Sequence, residues 1–530
     1  MIADRATRLL ESRWAPLLCG VATALVTWWV WGSLRQVTIV GDEAAYVLQA
    51  KVFASGRWTA PGRPLPEFFE QYHVLVTPIL ASKYWPGHSL LMVPGIWLGL
   101  PGLVPVLLSG LTGALCFALA RRLANPWVAA VTWFVWTTAS GNMRWRASYY
   151  SEVTTGALWL VGWWALLDWY ETGRRGALLT LAACVGWSAV TRPLTALAFA
   201  IPTAVVVLRR CYARRTWRDL GLALALGGVV LGLIPLWSAR TTGDWRTTPY
   251  VLYARLYFPL TLDTTPERPL PPDMQSLLDG LNDLVRGHTL RALPTELLKR
   301  IRQIGVDMWH GWRLLLLPFA IIGLSALPAG ASYGVATAAS LVLAHLWMAH
   351  FPSWSLYYLE LQPVLAFLTG LGVGVVAPRL TKRLGVPGSR VTVVLCCSGA
   401  LALSFLDLRA TGRTLGNRQA YFRRFAVLVE RIRDPEAIVF VRYSPYHNVN
   451  ASLIANRPDL DRAHAWIVYD RGADNSRLIA LAPSRTPYLY DEATNSLSVL
   501  PRATAPHAGD ARPPVTRQAP DKNAAGDGRR

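Results

Sequence analysis

The chain has 530 residues, of which 52% are hydrophobic and only 16% charged, with 24 Trp. Charged residues run near about 25% in soluble domains, so this balance excludes an ordinary soluble enzyme. The net charge of +21 would suit a nucleic-acid binder. Much of the Arg, however, falls in short segments between apolar runs, as in cytoplasmic loops between membrane spans, so no nucleic-acid partner is expected.

Apolar runs of roughly 17–22 residues recur, the length that crosses a bilayer. Spanning backbone must satisfy its own hydrogen bonds, so the expected fold is mainly α, a polytopic transmembrane helix bundle. The head, with Arg5, Arg8 and Arg13, is expected in the cytoplasm. The first apolar run, 16–31, lacks a small-residue cleavage site and reads as a retained span. It carries Asp42 and Glu43 to the far side and opens a periplasmic loop over 34–85. Two adjacent carboxylates there either serve a site at the membrane surface or occupy the first turn of a helix. Within the loop, 49–58 reads as a short helix stopped by Gly56, and Pro61, Pro64 and Pro66 break regularity. The apolar piece from His88 to Leu100 is short for a span and reads as an interfacial or re-entrant helix.

Further spans follow at 102–120 and 126–141, then one through Asp168, one ending at Arg192, one entering the basic run Arg209–Arg218, and one leaving near Trp237. A long periplasmic loop over 238–310 comes next, with spans at 311–328, 332–350, 357–377 and 391–407. This gives about 11 spans with the N-terminus inside and the tail outside, in a bacterial inner membrane. The transmembrane part is expected over 1–409. Beyond it, 418–433 reads as an amphipathic helix, and 437–441 and 465–469 as buried strands, with shorter helical stretches between and after them. A small extramembrane α/β domain is expected over 410–500 and a disordered tail over 501–530. The six Cys show neither metal-ligand nor disulfide spacing.

Short outer turns should be poor in cations, yet Lys83, Arg144, Arg146 and Arg192 fall there. They either snorkel to headgroups or bind an anion, and the arginine fork suits phosphate. A carboxylate and cations together at a bilayer surface fit a lipid that carries a phosphate-linked sugar. The cations would stabilise the departing phosphate, and the carboxylate would accept or orient the proton of the attacking hydroxyl.

Gly41-Asp42-Glu43-(x2)-Tyr46, Lys83-Tyr84-Trp85-Pro86-Gly87 and Tyr149-(x2)-Glu152 resemble, in order and spacing, the polytopic GT-C glycosyltransferases. The resemblance is to the bacterial branch akin to protein O-mannosyltransferases and the aminoarabinose transferases of lipid A, and it covers about 1–410. It implies catalytic roles for Asp42, Glu43 and Glu152, with Asp42 as the main carboxylate. It also implies donor-phosphate contacts from Lys83, Arg144, Arg146 and Arg192, and substrate contacts from Tyr46, Tyr84, His88 and Tyr149. A polyprenyl-phosphate-sugar donor, inversion at the sugar carbon and no required divalent metal follow from it. The acceptor is left as a glycolipid, an envelope polymer or a protein. Ala45, Trp85 and Leu356-Tyr357-Tyr358 depart from the family pattern, which leaves the sugar open as well.

Other polar residues carry paired readings. Glu70 and His73 are three apart, suited to a metal or to a solvated helix. His88 either donates to substrate or caps. His345 and His350 either pack or line a cavity, and Asp168 reads as an interfacial charge. The turn 242–246 is placed over the cavity. Arg442, Tyr443, His447 and Asn448 follow a strand end, where α/β domains often hold ligands. The rival functions are a lipid or sugar transporter or flippase, which needs polar residues near the midplane of its spans, and an assembly protein that binds through the tail domain.

Overall fold

The computed structural model describes residues 2–259 and 265–501, leaving aside the side chains of 2–4 and 386–390. The tail expected over 501–530 lies, from residue 502 on, outside the described residues. The chain is a polytopic helix bundle with two small sheets. Among the described residues six helices are long and apolar enough to cross a membrane: Leu103–Leu123, Pro193–Arg214, Trp217–Thr242, Ala329–Leu346, Ser355–Gly385 and Val391–Glu430. Two bent pairs, Arg5–Glu11 with Ala15–Trp31 and Leu293–Trp309 with Gly311–Ser325, make eight if each is one span. Length and composition therefore do not by themselves reach the expected count of about 11. Pro126–Thr137 has 12 residues and Arg175–Ala189 has 15, while Glu152–Thr172 carries Glu152, Asp168 and Glu171.

Close helix crossings hold the bundle. Leu317–Ser325 packs on the span Ser355–Gly385. A Cβ added to Gly372 would lie 1.8 Å from the Phe319 carbonyl oxygen, and one on Gly323 would lie 1.9 Å from that of Leu368. Reciprocal glycines thus let the two backbones touch, and dispersion replaces the hydrophobic drive that lipid cannot supply. By contrast, only 11% of the most apolar window of Trp217–Thr242, and of Val391–Glu430, is buried. These helices turn their apolar sides outward, as lipid-facing helices do.

The first loop, 34–85, is more ordered than its prolines suggest. Its helix is Gly41–Ala54, starting at the acidic pair rather than near 49. Asp42 and Glu43 occupy the first turn, where the helix dipole favours them. Three short strands, β1 (Ala60–Pro61), β2 (Val74–Leu75) and β3 (Ile79–Ser82), form an antiparallel sheet in the order β1-β3-β2. The long loop folds into helices Pro249–Leu256, Pro272–Gly287 and Leu293–Trp309.

The expected helix over 418–433 is the end of Val391–Glu430, which runs on without a break from the apolar stretch. A second sheet follows, made of β4 (Ala437–Arg442), β5 (Ala465–Tyr469), β6 (Thr486–Asp491) and β7 (Ser496–Val499), in the order β5-β4-β6-β7. β4 is parallel to both neighbours, and β7 closes an antiparallel hairpin on β6. No helix lies between β4 and β5 among the described residues. After β5 comes one, Asn475–Leu481, and then the hairpin, which the sequence reading did not foresee. β4 is apolar from Ala437 to Val441 because both its faces are covered there. Val439 and Val441 pack with Phe425 and Ile432 from the end of the long helix, while Ile438 and Phe440 pack with Phe68 and Phe69 of the first loop. Asp273 joins the parts, accepting hydrogen bonds from Tyr72 (3.2 Å) in the first loop and Tyr469 (3.0 Å) in β5.

Overpacking a tight crossing costs about 1–3 kcal/mol. Gly372→Leu is therefore expected to lower the unfolding temperature in detergent by several degrees. Gly416→Ala, whose Cβ would meet nothing within 4 Å, should leave it unchanged. Trp fluorescence during thermal unfolding reads both.

Candidate active site

The first turn of Gly41–Ala54, the end of β3 and the turns before Glu152–Thr172 and Pro193–Arg214 meet around one cavity of about 960 Å³. Asp42 stands in its wall with 37% of its side chain exposed. The Tyr84 hydroxyl donates to Asp42 Oδ1, and His73 Nε2 lies 3.4 Å from Oδ2. His73 Nδ1 is buried with no partner, which fits a neutral ring with its proton on Nε2. Burial lowers the proton affinity of His73, in keeping with that tautomer. Burial works to raise Asp42, but the hydrogen bonds from His73 and Tyr84 and the charge of Lys83 outweigh it. The carboxyl is held well below its ordinary range.

Lys83 also lines the cavity, and its backbone N–H donates to the His73 carbonyl at 2.9 Å. Its ammonium faces the rings of Tyr84, Tyr250 and Tyr253, 5.1, 5.0 and 5.0 Å from their centroids. Such a cage holds a cation without consuming its charge on a carboxylate. Burial brings Lys83 down to about 8, against the pull of Asp42.

In the Lys83-Tyr84-Trp85-Pro86-Gly87 run, Pro86 and Gly87 are architecture. Pro86 opens helix Pro86–Trp97, where its missing N–H is no loss. The Gly87 N–H donates to the Val190 carbonyl at 2.9 Å. A Cβ there would lie 2.3 Å from Thr191 Oγ1, so only glycine lets this helix touch the turn that bears Arg192.

The structure divides the expected site residues. Asp42, Glu43, Tyr46, Lys83, Tyr84, Arg144, Glu152 and Arg192 line the cavity; Arg146, His88 and Tyr149 do not. Glu43 has both oxygens on backbone, accepting from Ile39 N–H (2.8 Å) and Tyr149 N–H (3.2 Å). Burial raises it to about 7 despite those two amides. It fixes the turn and is not free to work as a base. The Tyr46 hydroxyl is 2.9 Å from Ser151 Oγ, and its ring stacks on Tyr84. Glu152 is buried, with Oε1 2.7 Å from Arg192, whose charge is thereby already matched. Arg144 faces the cavity 3.3 Å from Asp307.

Arg146 is buried instead under Trp136 and donates to the Trp136 and Thr137 carbonyls (3.2 and 2.8 Å), where no phosphate can reach. His88 is enclosed between Thr154 Oγ1 (2.8 Å) and the Tyr149 carbonyl (2.9 Å). Tyr149 donates its hydroxyl to the Gln36 carbonyl at 2.8 Å. Both are braces between turns rather than substrate contacts.

Glu70 and His73 part company: Glu70 pairs with Arg268 at 2.5 Å, on irregular chain rather than a helix, and His73 turns to Asp42. Among the described residues no group of three His, Cys, Asp or Glu is placed to hold a metal. His345 lines the cavity, while His350 packs against Tyr357 and Tyr358. Asp168 pairs with Arg174 at 2.5 Å near the end of its helix. The 242–246 turn is absent from the lining, which takes Tyr250 and Tyr253 from the next helix. Of the residues after β4, Asn448 reaches the cavity, whereas Arg442 pairs with Asp470 and His447 with Glu492.

Tyr150, Tyr357, Asn450 and Arg418 complete the lining and were not singled out from sequence. Arg418 is exposed and, among the described residues, engages no carboxylate within 4 Å. Leu277, Leu281 and Val285, four apart on Pro272–Gly287, with Trp347 and Leu356, give the lining an apolar limb. The arrangement can hold an ionised carboxylate beside an unspent ammonium, next to apolar surface.

No protein-family model matches the chain, and no curated protein matches it. Two solved structures do resemble it. ArnT from Cupriavidus metallidurans bound to undecaprenyl phosphate has a TM-score of 0.52 at 15% identity, covering 91% of each chain. ArnT from the same organism in the apo state has a TM-score of 0.51 at 15% identity, covering 88% of each. At that identity the likeness is one of fold, and it runs nearly end to end: the apolar helices are those of a membrane protein, and the chain shares its overall fold with the ArnT structures.

Proposed function

We propose that the protein is a membrane glycosyltransferase. It moves one sugar from a polyprenyl-phosphate donor to an acceptor hydroxyl, with inversion, on the periplasmic face of a bacterial inner membrane. The observation that carries this reading is the meeting of Asp42 and Lys83 in one cavity that continues into an apolar limb. The undecaprenyl phosphate named for a protein of the same fold supports the donor class.

In this reading the isoprenoid tail lies along the apolar limb and brings the phosphate to Lys83 and Arg144. Binding energy from the tail positions the sugar. The acceptor oxygen attacks the anomeric carbon, and the bond from that carbon to the phosphate oxygen breaks. The electron pair leaves with the phosphate, whose added charge the ammonium stabilises. The hydroxyl proton passes to Asp42. Asp42 is a weak base while Lys83 is unengaged. Once the donor phosphate draws that positive charge, the carboxylate becomes more basic, so proton transfer is favoured when both substrates are present. Glu152 and Arg192 position the wall as an internal pair, and Glu43 holds the turn that presents Asp42.

Asp42→Asn is expected to lower turnover by at least about 10²-fold while leaving donor affinity near wild type; unimpaired turnover in the purified variant would overturn the assignment. Lys83→Ala should weaken undecaprenyl phosphate binding about 10- to 100-fold, the worth of a charge-assisted hydrogen bond. Titration of Trp fluorescence measures it, and equal affinities would remove Lys83 from the phosphate site.

The lysine also sets a pH limb. Its proton is present below about 8 and lost above, so affinity for a phosphodiester donor of fixed charge should fall as pH rises through that value. In Lys83→Arg the limb should vanish, since arginine stays charged. A wild-type affinity flat between pH 7 and 9 would contradict this.

A further inference from the structure

A second cavity of about 330 Å³ lies between the C-terminal end of Ala15–Trp31 and the turns of the long helix from Leu408 to Arg423. No residue of the proposed reaction lines it. Its lining includes three glycines, Gly32, Gly412 and Gly416. A Cβ on Gly412 would sit 3.1 Å from the Val30 carbonyl oxygen, so the helices nearly touch there, whereas one on Gly416 would meet nothing within 4 Å.

Three arginines line it. Arg423 is engaged with Gln36 and Gln419. Arg409 and Arg413 are exposed and, among the described residues, no ion pair engages either. Next to this cup, Trp29 stacks on Phe405 at 5.3 Å. Beyond that stack the two helices expose Val21, Leu25 and Trp28 on one side and Leu401 and Leu406 on the other. Tryptophans mark the headgroup level of a membrane, and an exposed apolar face below them is acyl-chain territory. Free snorkelling arginines need no glycine-lined recess. A recess at headgroup level with unspent guanidinium groups and an apolar face beneath is complementary to a phosphate diester on two chains.

We propose that this recess is a binding site for one anionic phospholipid. Arg409 and Arg413 take its phosphate, Gly412 and Gly416 leave room for the headgroup, and the acyl chains run down the faces of Val21–Leu25 and Leu401–Leu406. The lipid braces the helix whose Leu415 and Arg418 line the first cavity.

Native mass spectrometry of the full chain, titrated with phosphatidylglycerol or phosphatidylcholine, tests the site. Wild type should bind one phosphatidylglycerol in preference to phosphatidylcholine. Each surface arginine is worth roughly fivefold, so R409Q/R413Q should weaken that binding on the order of 25-fold. Gly416→Leu, which fills the recess without a backbone clash and keeps every charge, should weaken it as well, and R409K/R413K should restore part of it. Thermal unfolding at the wild-type temperature establishes that each variant is folded. Equal phosphatidylglycerol affinity in wild type, R409Q/R413Q and Gly416→Leu would overturn the proposal. So would displacement of the lipid by equimolar inorganic phosphate, which would make the recess a small-anion site, or by equimolar undecaprenyl phosphate, which would make it a second donor site.

Discussion

A carboxylate at the edge of a membrane stays charged only if its surroundings replace water. Around Asp42 that replacement comes from the Tyr84 hydroxyl, the His73 ring and the nearby ammonium of Lys83. None of the three is the full counter-ion a buried acid usually acquires, and Lys83 rests among three aromatic faces instead, its charge unmatched by a close carboxylate. The result is an anion and a cation in one chamber that have not neutralised each other. Arg192 with Glu152 shows the opposite outcome in the same cavity wall, a pair closed at 2.7 Å.

Much of what surrounds this pair is there to hold loops in register. Glu43 binds the amides of Ile39 and Tyr149, His88 bridges Thr154 and the Tyr149 carbonyl, and Gly87 closes on Val190. Each contact ties one outer turn to another. Misplacing a reacting group by about 1 Å can cost a hundredfold in rate. Such residues are therefore as constrained as those that touch substrate, without touching it.

The C-terminal sheet is fastened to this assembly rather than appended to it. Phe68 and Phe69 pack against β4, and Asp273 joins Tyr72 to Tyr469. The long helix that leads into the sheet brings Arg418 to the chamber, and the segment after β4 brings Asn448 and Asn450. The chamber wall is thus shared by the first loop, the long loop and the tail, which is why the size of the polar lining exceeds what the three short motifs alone provide.

The sequence by itself determined the membrane class and the helical architecture and singled out Asp42 and Lys83, which line one cavity, because these follow from local quantities: run length, loop charge and short spacings. It also placed β4 and β5, whose apolar runs are continuous, and missed the β6–β7 hairpin, whose outer strand Ser496–Val499 is short and polar. What it could not decide was direction and partnership. Arg144 and Arg146 lie two apart on one short helix, so their side chains diverge, one to the chamber and one into the bundle under Trp136. Adjacent Tyr149 and Tyr150 separate in the same way. Whether a cation is free or already paired depends on carboxylates such as Asp307 and Glu152, brought up by packing from other helices. Only the tertiary structure fixes those distances, since no spacing along the chain records them.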